Sequence, residues 1–382
     1  MLVEPAVPPV DGSVRPLRVL HVVQRLKGGG AETVVRGLVA GLQREGSVAA
    51  SVLSLYPDEL SADERAQLGV PVTSLERRGR GDIAGFYPRL IRAIRDARPD
   101  VVHAHLHAGK YAGRIAAIAA RAPAIVFTEH GDEAGGIVRA GINRLLHPRT
   151  ARFIVFSESE RRAFAAREGV PLERIVVIPN GVAEPPAADR SHVRDELGLP
   201  REAFVAYLPA RMTRQKNHVL ALRAFASAYG TDPQARIVLA GSGELEAEIR
   251  AEADRLGLGT SALFLGFRDD AARLLRAMDV LVLPSVWERM PIALGEAMLA
   301  GIPVVTTPWN GSADFAGDGA RAIVAADWSV ASFAHALERA GDAAERAHIS
   351  ARALDFARVA FSLDACVARH VALYRELACP AP

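Results

Sequence analysis

Short apolar runs alternate along the chain with longer stretches in which apolar residues recur every three or four positions. The first pattern predicts strands at 18–23, 50–55, 101–105, 124–130, 152–157 and 174–179, then at 203–209, 236–241, 263–267, 280–285, 303–307 and 322–325. Many of these runs are rich in Val and Ile and apolar on both faces, as buried parallel strands are. The second pattern predicts helices at 31–44, 86–97, 108–121, 217–229, 244–256 and 291–300. Strands and helices in alternation mean doubly wound α/β sheets. The alternation occurs twice, with a break near Gly181 and a polar, Pro-rich linker at 182–190. The tail from Phe361 to Leu377 has helical spacing. The expected organisation is a flexible leader at 1–16, an N-terminal domain of 17–181 plus 362–382, and a C-terminal domain of 182–361. Ligands of such sheets bind beyond the strand C-termini, so a cleft between two facing domains is the expected site.

Composition narrows this picture. Half of the 382 residues are hydrophobic and 24% are charged, which excludes global disorder. The net charge of +2 excludes a surface devoted to nucleic acid. Two cysteines, thirteen apart, give neither a zinc spacing nor a disulfide framework, and a reducing cytosol is expected. The N-terminus lacks the apolar core of a signal peptide, and no run is long enough to span a bilayer. Only Lys27, Lys110 and Lys216 are lysines, against 43 arginines, so each lysine merits inspection.

Three constellations carry chemistry. Gly28-Gly29-Gly30 follows a strand and opens a helix, where free N–H groups suit an anion; a merely flexible turn is an equal alternative. Arg211 and Lys216 lie on a strand–helix loop, where a guanidinium and an ammonium together suit a diphosphate; ordinary surface charge is the alternative. Most specific is Glu288-Arg289-Met290-Pro291-Ile292-Ala293-Leu294-Gly295-Glu296. Here Pro291 is expected to open the helix, and the N–H groups near Met290 to Ala293 can point at a phosphate. A carboxylate there can bridge two sugar hydroxyls, although most such glutamate pairs are a helix-end charge and a solvated side chain.

The chain resembles the retaining glycosyltransferases of family 4, which have the GT-B fold. The E-x7-E of Glu288 and Glu296, followed by AMLAGIPVV, is similar to their signature. The glycine loop, the His103-Ala104-His105 strand end, Pro179-Asn180-Gly181-Val182, Arg211 with Lys216, and Gly241-Ser242-Gly243-Glu244 match in order. FSLDACVARHVALYREL resembles the closing helix that crosses back to the N-terminal domain. The resemblance implies a sugar moved from a nucleotide diphosphate to a hydroxyl acceptor, with retention and without a metal cofactor, in bacterial polysaccharide, glycolipid or glycoconjugate assembly. It further implies that Arg211 and Lys216 hold the diphosphate together with Gly29, Gly30, Gly241, Gly243 and the Met290, Pro291, Ile292 and Ala293 backbone. Glu296 would hold the ribose, Glu288 the sugar hydroxyls, and Gly266 and Phe267 would border the base. His130 would lie beside the reacting sugar, and Ser157 matches a family serine placed on the acceptor side. The sequence departs from the family at Arg289, often glycine there, which is expected to bring a bulky cation near the donor. It departs again at Asn310-Gly311, where Asp314 is the nearest acid.

His103, His105 and His107 alternate and so share one strand face. A metal cluster is the minor reading; His105 or His107 is expected to line the acceptor half of the cleft, with His103 packed. Residues 1–180 carry a net +6 and the remainder −4, and Arg89, Arg92, Arg95 and Arg98 recur along one helix. Such a face could dock on anionic lipid at the inner side of the cell membrane, but a solvated helix face is favoured. Two competing functions are a GT-B nucleotide-sugar epimerase and a catalytically degenerate nucleotide-binding partner of another transferase.

Overall fold

The computed structural model describes residues 15–76, 82–106, 109–131, 137–230 and 232–379. They form two compact units. The first comprises the described residues up to 155, 168–176 and those from 367 on, and the second 156–167 and the described residues of 177–366.

The first unit holds seven strands: β1 (Leu17–Val23), β2 (Val48–Ser54), β3 (Val72–Ser74), β4 (Val101–His105), β5 (Ala124–Thr128), β6 (Arg152–Val155) and β7 (Ile175–Val177), in the order β3-β2-β1-β4-β5-β6-β7. The second holds β8 (Phe204–Pro209), β9 (Ala235–Ala240), β10 (Ala262–Gly266), β11 (Val280–Leu283), β12 (Val304–Thr306) and β13 (Ile323–Val324), in the order β10-β9-β8-β11-β12-β13. The paired strands run parallel. Both sheets therefore reverse direction of winding beside their first strand, between β1 and β4 and between β8 and β11. In open α/β sheets that reversal leaves a crevice at the strand C-termini.

Local sequence explains the elements. Val101 and Val102 are fully buried, as are Val205, Ala206 and Tyr207 and the run Val280–Val282, because helices cover both faces of each sheet. Helix Gly30–Glu45 turns Val34, Val35, Leu38, Val39 and Leu42 inward and ends at Gly46, whose left-handed conformation returns its N–H to the Leu42 carbonyl. Each of these side chains contributes about 1.5–3 kcal/mol by leaving water.

The structure differs from expectation in four places. Strand β3 was not anticipated: three residues are too short to show a period. The helix expected from residue 108 begins as a π-turn, Gly109–Gly113, before becoming Arg114–Ala120. Residues 156–167 cluster with the second unit and not the first. The last helix is Leu363–Ala378; Phe361 instead caps helix Ala343–Ala360 and is fully buried in the second unit's core. That last helix starts within the second unit and continues into the first, the boundary falling after Cys366.

Candidate functional site

In the second unit the loops after β8 and β11 flank the crevice, and a buried ion pair joins them. The Lys216 ammonium donates to Glu288 Oε1, with the two side chains only 19% and 6% exposed. Ser285 Oγ donates to the same oxygen at 2.7 Å, and Gln215 Nε2 reaches Glu288 Oε2 at 3.4 Å. The Val286 N–H donates to the Gln215 carbonyl at 2.8 Å, tying the loops through backbone as well. A lysine has three donors, so two remain for phosphate oxygens after Glu288 is satisfied. Oε2 of Glu288 holds only a long contact, which leaves it able to accept from hydroxyls. Arg211 is exposed on the same loop as Lys216, and its guanidinium has no ionic partner among the described residues.

The glycine loop after β9 packs directly on the Arg211 loop. Gly241 has φ +147°, and a Cβ there would lie 2.1 Å from the Ala210 carbonyl oxygen. A Cβ on Gly243 would lie 2.4 Å from that of Met212. Backbone cannot yield as a flexible side chain can, so both positions require glycine. The Met212 N–H donates to the Ser242 carbonyl at 3.0 Å, and the Gly241 N–H to the Gly266 carbonyl at 2.6 Å. Gly266 thereby belongs to the same assembly. Phe267, next in sequence, is 77% exposed and presents an aromatic face at a strand end.

Helix Ile292–Leu299 starts one residue later than expected, with Pro291 as its cap. The Ile292 and Ala293 N–H groups, first in the helix, have no intrahelical acceptor. Asn180 holds the loop ahead of them: its Nδ2 donates to the Met290 carbonyl at 3.2 Å and its N–H to the Met290 sulfur at 3.0 Å. Glu296 is half-buried, none of the described residues hydrogen-bonds its carboxyl, and burial pushes that carboxyl up to about 7.

One expectation for this unit is corrected. Arg289 does not present a cation to the donor region. It is almost buried and pairs with Glu160, whose other oxygen accepts the Phe156 N–H at 2.8 Å. Ser157, matched above to a family serine, stands immediately before helix Glu158–Glu168. It is buried, accepts the Glu160 N–H at 3.2 Å as a helix cap, and lies in the second unit. Asp314 accepts the Ser159 N–H at 2.8 Å and so serves the same helix end.

In the first unit, Gly29 caps helix Gly30–Glu45, and the Glu32 carboxylate folds back to within 2.8 Å of where a Gly29 Cβ would stand. An anion approaching those amides would displace Glu32. Beyond the C-terminus of β5, His130 is half-buried and its Nε2 lies 3.2 Å from His105 Nδ1. His105 itself is 1% exposed. His103 is packed as expected, its two nitrogens bonded to the hydroxyls of Tyr374 at 2.6 Å and Thr128 at 2.7 Å. His107 lies outside the described residues. Burial, reinforced by neighbouring histidines, lowers His103 and His105 well below the usual imidazole range and takes His130 to about 3, so these rings are neutral at pH 7. Lys110 is buried against Glu129 at 2.9 Å, one residue before His130. Lys27 makes an ordinary surface pair with Glu64. Along the arginine helix, Arg89 pairs with Asp82, Arg92 with Asp96, and Arg95 bonds the Ala119 carbonyl, so that face is partly neutralised. No helix among the described residues is long and apolar enough to cross a membrane.

Sequence reasoning did not single out Ser285 or Gln215, and it named Asn180 only within the Pro179–Val182 match, without a role. Ser285 stands three residues before Glu288, a local spacing that could have revealed it. Gln215 and Asn180 act through loops distant in sequence.

Comparison with known proteins adds to this geometry. The model for Glycosyltransferase Family 4 matches residues 28–184, and that for glycosyl transferases group 1 matches residues 189–353. The UDP-Gal:alpha-D-GlcNAc-diphosphoundecaprenol alpha-1,3-galactosyltransferase of Escherichia coli is 30% identical over 58% of this chain and 61% of its own length. The D-inositol 3-phosphate glycosyltransferase of Mycobacterium sp. (strain KMS) is 28% identical over 67% of this chain and 63% of its own. The chain thus spans about three fifths of the length of these relatives. The crystal structure of Anabaena Alr3699/HepE in complex with UDP and glucose superposes with a TM-score of 0.79 at 23% identity, covering 94% of this chain and 99% of that one. That likeness is one of fold.

Proposed function

The chain belongs to glycosyltransferase family 4, and from that premise we propose that it moves a sugar from a nucleoside diphosphate, with retention, to a hydroxyl acceptor during assembly of a bacterial polysaccharide, glycolipid or glycoconjugate. The observation that carries the reading is the buried Lys216–Glu288 pair spanning the β8/β11 crevice, beside the exposed Arg211. Departure of the diphosphate is the demanding part of the reaction, because negative charge grows on the leaving oxygen. Arg211, Lys216 and the free amides of Ile292 and Ala293 answer that charge from fixed positions. Each such donor is worth roughly a hundred- to a thousandfold in rate. Glu288, held by Lys216 and Ser285, accepts from the sugar hydroxyls through Oε2. Glu296 accepts from the ribose, the Gly241–Gly243 loop lies along the diphosphate, and Phe267 with Gly266 borders the base. The resemblance assigns His130 to the reacting sugar and Gly29 and Gly30 to the phosphates. The departing phosphate oxygen takes the acceptor proton, so no strong protein base is needed.

A uridine diphosphate sugar is the donor class we propose, on the likeness to the Escherichia coli galactosyltransferase and to the Anabaena protein crystallised with UDP-glucose. The name of the former also supports an acceptor sugar carried on a polyprenyl diphosphate at a membrane surface. UDP-, GDP-, ADP- and TDP-sugars should be screened by thermal shift, then assayed for transfer to lipid-linked and free oligosaccharides in EDTA. Metal-independent turnover of a UDP-sugar is expected. Nucleotide binding without turnover would identify a degenerate partner, and isomerisation of the donor an epimerase; either would defeat the proposal.

A further inference from the structure

We propose that Ser285 is a positioning residue for the donor sugar. It acts through Glu288, holding Oε1 beside Lys216 so that Oε2 is left to the sugar hydroxyls, and Thr307 and Trp328 fix it in place for that task. The inference rests on the role proposed above for Glu288 and deepens it.

Ser285 is the second residue beyond β11 and is fully buried. None of its atoms can reach a donor, so any influence on the sugar has to pass through a neighbour. Its two polar groups serve different partners. The hydroxyl donates to Glu288 Oε1 at 2.7 Å. The carbonyl accepts the Thr307 hydroxyl at 2.5 Å and the Trp328 indole N–H at 3.4 Å. Thr307 stands directly after β12, and its own N–H donates to the Leu283 carbonyl at 3.2 Å, on the strand that leads to Ser285. Trp328 lies in the turn after β13, which Ser332 braces: its Oγ accepts the N–H groups of Ala326 at 2.8 Å and Asp327 at 3.2 Å. The loops after β11, β12 and β13 thus converge on one serine. The loop after β8, the neighbour of β11 on its other side, brings Lys216 and Gln215 to the same carboxylate.

The chemistry needs such a holder. The last torsion of a glutamate is broad, so a carboxylate beside an ammonium turns readily. Turned to face Lys216 with both oxygens, Glu288 would have little left for a sugar hydroxyl, and it would occupy lysine donors that a phosphate needs. Ser285 opposes that rotation. With its hydroxyl and Lys216 both on Oε1, the plane of the carboxylate is set, and Oε2 keeps only the long contact from Gln215. A hydrogen bond to an ionised acceptor is among the stronger ones, and at a fully buried site no water replaces it when it is lost. A serine kept only to satisfy a buried charge would serve stability alone. One that sets the plane of Glu288 serves the hexose, and the difference shows in how UDP and a UDP-hexose respond to its removal.

The test is a double-mutant cycle of Ser285→Ala and Glu288→Ala in the full chain, read by isothermal titration with UDP, UDP-glucose and UDP-galactose. Ser285→Ala is expected to weaken the UDP-hexose that the wild type binds by roughly tenfold, and UDP by less than about twofold. In the Glu288→Ala background the same substitution should change either affinity by less than about twofold, because no carboxylate is left to hold. Ser285→Thr, which keeps the hydroxyl, should recover most of the lost affinity. Trp328→Phe, which keeps a ring and loses the N–H, should weaken the UDP-hexose by roughly threefold. Equal losses for UDP and the UDP-hexose, additive losses in the double variant, or a Ser285→Ala protein that binds as the wild type does would each overturn the inference. A Glu288→Ala protein that binds the UDP-hexose as tightly as the wild type would instead overturn the role of Glu288 beneath it, whatever Ser285→Ala does.

Discussion

Lys216 shows how much one side chain can be asked to do. It faces Glu288 and, in the proposed reaction, the diphosphate as well. Lys216→Ala should lower kcat/KM for the donor by about a hundred- to a thousandfold. It should also lower Tm, because Glu288 keeps a buried charge with only Ser285 and Gln215 to answer it. Glu288→Gln, which removes that charge, should cost similar activity with a smaller loss of stability. Steady-state kinetics and thermal unfolding on both variants check this. Glu296 makes a prediction of a different kind. Its carboxyl is raised to about 7 in the native state against 4.5 unfolded. The native state therefore keeps a proton that the unfolded chain releases, so stability is full below pH 4.5 and is lost as pH rises to 7, by on the order of 3 kcal/mol at most. Glu296→Gln should abolish that slope in urea unfolding across pH 4 to 8. If the ionised form accepts from ribose, UDP affinity should rise through pH 7 in the wild type and rise less in the variant. Both acids were legible in the sequence from their spacing and resemblance; the neutral proton on Glu296 was not, because it depends on burial.

Elements place these side chains through loops that have little freedom. The loop after β9 touches the loop after β8 backbone to backbone, so Gly243→Ala must push one of them aside. Such overpacking costs about 1–3 kcal/mol. The expected result is a lower Tm and a raised donor KM, with kcat less affected, measurable by calorimetry and donor titration. Strands were the most legible part of the sequence: β1, β4, β8 and β11 show as apolar runs because helices cover both faces. Short β3 carried no period, and the π-turn at Gly109–Gly113 had no signature distinct from a helix start. Arg289 was misread because it meets its partner on helix Glu158–Glu168, and the residues alone gave no sign that this helix clusters with the second sheet.

For the whole molecule, the telling element is the last helix, Leu363–Ala378. Gly181 sits against Cys366 so closely that a Cβ would fall 2.7 Å from the cysteine's, and Val182 donates its N–H to the Phe361 carbonyl at 2.8 Å. Farther along, the helix belongs to the first unit, where Tyr374 is fully buried against His103 and Arg375 approaches Glu45. Truncation after Ser362 should strip the cover from His21 and His103. Hydrogen exchange should then quicken in β1 and β4, while β8 and β11 stay protected; equal loss in both sheets would refute that division.

A ribosome emits this polymer from one end only. The lobe begun first is missing a wall until helix Leu363–Ala378 emerges, long after its seven strands are available to pair. Its imidazoles stay wet and able to take up protons through most of synthesis. Maturation of the amino-terminal half is thus postponed until the whole second sheet has been made, and a message stopped at codon 362 would yield a lobe that never closes.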